Sequence, residues 1–68
     1  MSDSTYKKIE IVGTSAESVS AAIRNGLERA AKTVKNMDWF EVTELRGRID
    51  DGKIGQYQVS MKVGFRLE

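Results

Sequence analysis

The stretch "QYQVSMKVGFRL", residues 56–67, alternates without a break. Tyr57, Val59, Met61, Val63, Phe65 and Leu67 fall on one side of an extended chain. Gln56, Gln58, Ser60, Lys62, Gly64 and Arg66 fall on the other. A period of two held this long specifies a strand with one apolar and one polar face, and its regularity suits the middle of a sheet. Asp51-Gly52, just upstream, is a strong hairpin signal, so the preceding strand pairs with this one antiparallel.

A different period governs "GTSAESVSAAIRNGLERAAKTVKN". Val19, Ala22, Ile23, Gly26, Leu27, Ala30, Ala31 and Val34 recur at the i, i+3, i+4 spacing of one helical stripe. Most of these side chains are small, so the helix can lie close to what it covers. Gly26, which costs about 1 kcal/mol relative to Ala, fits that close approach. Thr14 with Glu17 three places on reads as a capping box at the helix start. Arg24, Glu28 and Lys32 lie four apart on the outer side, where they can pair in solvent. Lys32 and Lys35 suit the negative helix end, and Asn36 suits a left-handed stop.

Ahead of the helix, Ile9 and Ile11 alternate with Lys8 and Glu10, giving a first strand over Thr5–Val12 that ends at Gly13. Residues 1–4 are polar and expected to be loose. The order is β-α-β-β in a single domain over residues 1–68. A crossover through a helix makes the first two strands parallel, and the hairpin returns the third antiparallel. With the third strand between the others, the chain is an α+β fold. It has a three-stranded antiparallel sheet in spatial order 1-3-2 and one helix packed on one face. No second helix exists for the other face.

Sixty-eight residues bury little core, and a chain this small needs a staple. The sequence contains neither Cys nor His, so disulfides and His- or Cys-based metal sites are excluded. Oligomerisation remains. The same absences remove the commonest general base and the thiol nucleophile. Eleven basic against ten acidic residues leave a net charge of +1, a weak attraction for phosphate backbones or anionic membranes. No apolar run approaches the ~18 residues of a membrane span. The opening "MSDSTYKKIE" lacks the apolar core of a signal peptide, so the expected location is the cytoplasm.

The sole tryptophan stands in "NMDWFEV". If Phe40 and Val42 face the helix, Trp39 points to the uncovered side with Glu41 and Thr43. The third strand supplies Gln58 and Lys62 to that same side, setting Gln58 beside the indole. Further on, Leu45 and Ile49 are apolar but fall in the Trp39 phase, which a β-bulge or strong bend near Glu44–Gly47 would explain. Three roles are open to Trp39: packing against another subunit, stacking a planar ligand, or folding back into its own core. One aromatic adds only about 0.5–1.5 kcal/mol to a stacked ring, so two tryptophans from symmetry-related chains would hold a ligand far better. Gly64 is expected to admit a neighbouring backbone.

"KKIEIVGTS", "DWFEV" and "YQVSMKVGFRLE", in β-α-β-β order, resemble the dodecins. These are small flavin-binding proteins that assemble as hollow dodecamers. The resemblance runs from Tyr6 to Glu68 and is closest to the bacterial branch, which favours FMN over smaller flavins such as riboflavin. It implies that Trp39 stacks on the isoalloxazine, with two flavins and two tryptophans of two-fold-related chains in one sandwich. It further implies that Gln58 hydrogen-bonds the ring's polar edge, that Asp38 lines the pocket, and that Arg46 meets the FMN phosphate. Arg48, two residues on, could share that last contact. FAD and riboflavin are the alternative cofactors, and no metal is implied.

The function that follows is non-catalytic storage and sequestration of FMN, with the excited flavin quenched by the stacked tryptophan. Two alternatives differ in class: a flavin-dependent redox enzyme, which needs an open ring face, and a ligand-free oligomeric scaffold. Nucleic acid is disfavoured as a partner, since base-stacking sheets typically show two or more aromatics and a basic surface.

Overall fold

The computed structural model describes residues 3–68. The expected looseness of residues 1 and 2 lies outside the described residues; residues 3–5 have no regular structure. The elements are β1 (Tyr6–Ser15), α1 (Val19–Ala30), β2 (Met37–Asp50) and β3 (Lys53–Arg66). β3 lies between β1 and β2, and both pairings are antiparallel, as the alternation and the hairpin predict.

The turn between β2 and β3 is two residues long, with Asp51 at φ 52° and Gly52 at φ 75°. Positive φ at both central residues is the type I′ geometry, whose twist matches that of the flanking strands. Asn36, at φ 64°, makes the left-handed stop ahead of β2.

β1 runs past Gly13, which pairs with Val59, and ends at Ser15. The reason is the helix crossing. A Cβ at Gly13 would collide with the carbonyl oxygen of Ala22. One at Gly26 would lie 2.8 Å from Met61 Cε and 3.1 Å from Gly13 Cα. The two glycines let helix and sheet backbones meet there. Since Thr14 and Ser15 belong to the strand, Thr14 does not cap the helix. Ser18 does so instead: its extended backbone breaks the helix, and its Oγ accepts from the Ala21 N–H at 3.0 Å. The helix is correspondingly shorter than its apolar stripe. It stops at Ala30, and the bonds from Lys32 to Arg29 and from Thr33 to Ala30 tighten the exit. Lys32 is therefore outside the helix. Among the described residues, the ion pairs all join strand residues, not Arg24, Glu28 or Lys32.

α1 packs on β1 and β3, and its backbone does not approach β2, where only Leu27 faces the strand's start across a hollow. Ala21, Ala22, Val59, Met61 and Val63 form the core. Beyond Met37, the apolar helix-side residues of β2 stay open, from Phe40 at 43% exposed to Ile49 at 75%. The molecule measures 56 × 20 × 14 Å, and its radius of gyration is 14.2 Å. A compact chain of this length would have about 11 Å. The excess is the β2–β3 arm, which extends beyond the helix. No helix among the described residues is long and apolar enough to cross a membrane.

Candidate functional site

Three register shifts decide which side chains share the bare face of the sheet. At the first, Asp38 is an extra residue between Met37, paired with Phe65, and Trp39, paired with Gly64. Met37 and Trp39 would otherwise share a side; the bulge leaves Met37 toward the helix and turns Trp39 away from it. At the second, Thr43 is the extra residue. Val42 pairs with Met61 and Leu45 with Val59, which returns Leu45 to the helix side. This is the bulge that the parity of Leu45 demands, one residue earlier than expected. The Thr43 hydroxyl donates to the Ser60 carbonyl at 3.2 Å and ties it down. At the third, Gly55 is skipped, so Ile49 meets Ile54 on the helix side. That shift was not foreseen.

The indole of Trp39 lies across β3 onto Gly64. A Cβ there would stand 2.6 Å from Trp39 Cη2 and closer still to two other ring atoms. The group that Gly64 admits is thus a side chain, not the neighbouring backbone expected. Tyr6 of β1, opposite Arg66 on the same face, meets the indole from the side. The ring centroids are 5.0 Å apart and the planes are inclined at 62°. Both rings remain 41% exposed. Sequence reasoning missed Tyr6, although its parity with Lys8 and Glu10 already places it on this face.

Gln58 shares the face but not the neighbourhood. It pairs with Arg46, six residues along β3 from Gly64, or about 20 Å at strand rise. The expected side-by-side placement of Trp39 and Gln58 therefore fails within one chain. The strands are long and antiparallel, so the start of β2 lies against the end of β3. What Gln58 does meet is a polar chain. Its Oε1 accepts from Arg46 Nε at 2.9 Å, and its Nε2 donates to Gln56 Oε1 at 3.0 Å. Arg46 Nη1 reaches Glu44 Oε1 at 3.5 Å. Arg48 is more firmly engaged, with Nε and Nη2 on Asp50 Oδ2 at 3.2 and 3.1 Å. Asp38, exposed in its bulge, adjoins Trp39.

Between the two ends runs a charged ladder. Lys8 Nζ reaches over β3 to Glu41 Oε1 at 2.6 Å. That hydrogen bond holds the Glu41 carboxyl below its ordinary value, and the charges of Lys8 and Lys62 act in the same direction. Among the described residues, no cluster of acidic side chains is suited to a metal ion.

Another hollow lies on the helix side. It is a groove of about 310 Å³ lined by Val19, Leu45, Ile49, Ile54 and Tyr57. Its walls are mostly apolar, with Arg46 and Arg48 at its margin, so it fits another protein surface better than a small ligand. The bare face offers the opposite: an exposed indole, a carboxylate, an amide and a guanidinium. These are groups that can stack a planar ring, hydrogen-bond its edge and meet an anion.

Known proteins share this fold. The family model described as Dodecin matches residues 5–68. A dodecin of Thermus thermophilus is 56% identical over 63 residues, 93% of this chain and 91% of its own. Among solved structures, a dodecin from Streptomyces davaonensis is 58% identical, with a TM-score of 0.95 over 98% of both chains. A dodecin from Streptomyces coelicolor is 51% identical, also at 0.95, over 100% of this chain and 97% of that one. With the family match spanning nearly every residue and the same three-stranded, one-helix architecture beneath it, the chain belongs to the dodecin family.

Proposed function

We propose that this protein binds FMN without turnover, storing it in a closed assembly of twelve chains. Dodecins are in general small flavin-binding proteins and not enzymes. The observation that carries the reading is the exposed indole of Trp39, held on the bare face of the sheet over Gly64.

The separation of Trp39 from Gln58 supports a composite site. No single fused three-ring system spans about 20 Å. A flavin that touches both must take Trp39 and Asp38 from one chain and Gln58 and Arg46 from another. A two-fold axis makes such a site twice over, and brings two indoles to opposite ends of one stack. Arg46 suits the phosphate better than Arg48, whose guanidinium is already held by Asp50 through two nitrogens. Gln58 offers both an acceptor and donors to a ring edge that carries both kinds of group.

When bound, the flavin supplies a light-absorbing ring that becomes a strong oxidant in its excited state. A stacked indole could donate an electron to that state, and the electron's return to the indole would leave both rings in their ground states, quenching the flavin. Self-association has its own support. The helix-side strip of β2 and the groove beside it are apolar, exposed and contiguous, and a monomer this elongated leaves them without cover.

FMN titration followed by flavin emission tests the reading. Wild-type protein is expected to quench FMN at a native mass of twelve 7.6 kDa chains. Trp39→Ala should keep the mass and lose most of the quenching. Unchanged quenching in that variant rejects the stack. Turnover of NAD(P)H by the FMN-loaded protein would move the protein to the enzyme class.

A further inference from the structure

We infer that Tyr6 and Gly64 form a seat that fixes the Trp39 ring, so that it offers one face to a ligand; Tyr6 is a positioning residue for the stack. The inference rests on the flavin reading for its ligand, but the seat itself is a property of the empty protein.

Three observations carry it. The benzo portion of the indole lies over Gly64, where any Cβ would overlap it. β3 backbone is therefore the floor, and one face of the ring is closed to a ligand. Tyr6, from the opposite edge strand, meets the indole in a T-shaped contact at 5.0 Å. That geometry favours the positive edge of one ring against the negative face of another. The Asp38 bulge sets the starting direction of the side chain. All three strands thus contribute: β2 supplies the ring, β3 the floor and β1 the side wall. Without the wall and the floor, an exposed tryptophan would sample several rotamers, and a ligand would have to select one of them. Fixing the ring beforehand removes that ordering cost from binding.

The seat also explains why one sequence needs both residues. Gly64 alone would let the ring lie flat but not hold it. Tyr6 alone would meet a ring pushed off the sheet by a Cβ. Both residues present to the face of the sheet opposite the helix-side core, so changing them alters the ring more than the fold.

The test uses full-length assembled Tyr6→Leu, Tyr6→Phe and Gly64→Ala proteins, each first checked for native mass. In flavin-free protein, Trp39 emission anisotropy should fall in Tyr6→Leu and Gly64→Ala and stay at the wild-type value in Tyr6→Phe. FMN dissociation constants should rise roughly two- to tenfold in Tyr6→Leu. The rise should be larger in Gly64→Ala and small in Tyr6→Phe. Wild-type anisotropy and FMN affinity in Tyr6→Leu overturn the inference. So does a Tyr6→Phe protein as weak as Tyr6→Leu, since the hydroxyl and not the ring would then matter. If Trp39→Ala binds FMN normally, the flavin reading fails, and the anisotropy series still decides the seat on its own.

Discussion

β2 and β3 are equally long and share a ladder, yet their helix-side residues meet opposite fates. Val59, Met61 and Val63 of β3 are at most 1% exposed, while their cross-strand partners Leu45, Val42 and Phe40 are 59%, 48% and 43% exposed. The residue types on the two strands are alike, so hydrophobicity does not separate them. The helix does. α1 spans twelve residues and lies over β1 and β3, held close by Gly13 and Gly26, and among the described residues no element lies over β2. A pattern of apolar residues states that a surface will be buried. It does not state by whom, and here one strand is served by its own helix while the other is left open.

The largest test of that contrast places charge on β2. Leu45→Asp with Ile49→Asp should cost several kcal/mol at each covered site, because an unpaired carboxylate enters an apolar contact. The native mass should drop to that of single chains or small fragments of the assembly. An unaltered mass would mean that the strip stays solvent-facing and that no second copy covers it. Next in size is Met61→Ala, which hollows the core beneath the helix. About 2–5 kcal/mol should be lost in denaturant unfolding, with no direct effect on which surfaces associate.

The position of the helix over β1 and β3 depends on where it starts, and a smaller experiment examines that. Ser18→Ala should cost about 1 kcal/mol, read as a lower thermal midpoint. Thr14→Ala should be nearly neutral, as Thr14 is a strand residue whose hydroxyl caps nothing. The reverse ranking would restore Thr14 as the cap. The smallest effect concerns the bare face. The Glu41 carboxyl is held below its ordinary value of about 4.5 by Lys8. Its folded form therefore binds its proton less readily than its unfolded form. That contribution is present above pH about 4.5 and fades as pH falls through the lowered value. Both partners are about half exposed, so the effect is small. Glu41→Gln should flatten this part of the acid limb in melts run at low ionic strength. An identical acid limb would show that the pair contributes nothing.

The element order, the hairpin and the face of Trp39 were readable because each rests on a short-range rule. Alternation reports a strand, Asp-Gly reports a two-residue turn, and the lack of a second helix reports a bare face. The parity of Leu45 also announced a bulge before its position was known. The sequence reading failed where one local signal competed with a longer-range one. Thr14 and Glu17 have the spacing of a capping box, but pairing of Thr14 with Gln58 keeps β1 extended, and the cap moves to Ser18. Gln58 was matched to Trp39 by face alone, since parity gives the side of a residue but not its place along a ladder of fourteen.

From sequence alone, then, the strand and helix periods determined the fold class and the side of the sheet that carries the indole, because both depend on residues a few positions apart. Tertiary structure decided the rest. Register, with its three shifts, set Trp39 over Gly64 and beside Tyr6 and left Gln58 and Arg46 at the far end. Register is set by contacts between residues distant in the chain, where a slip of one position turns a side chain from one face to the other.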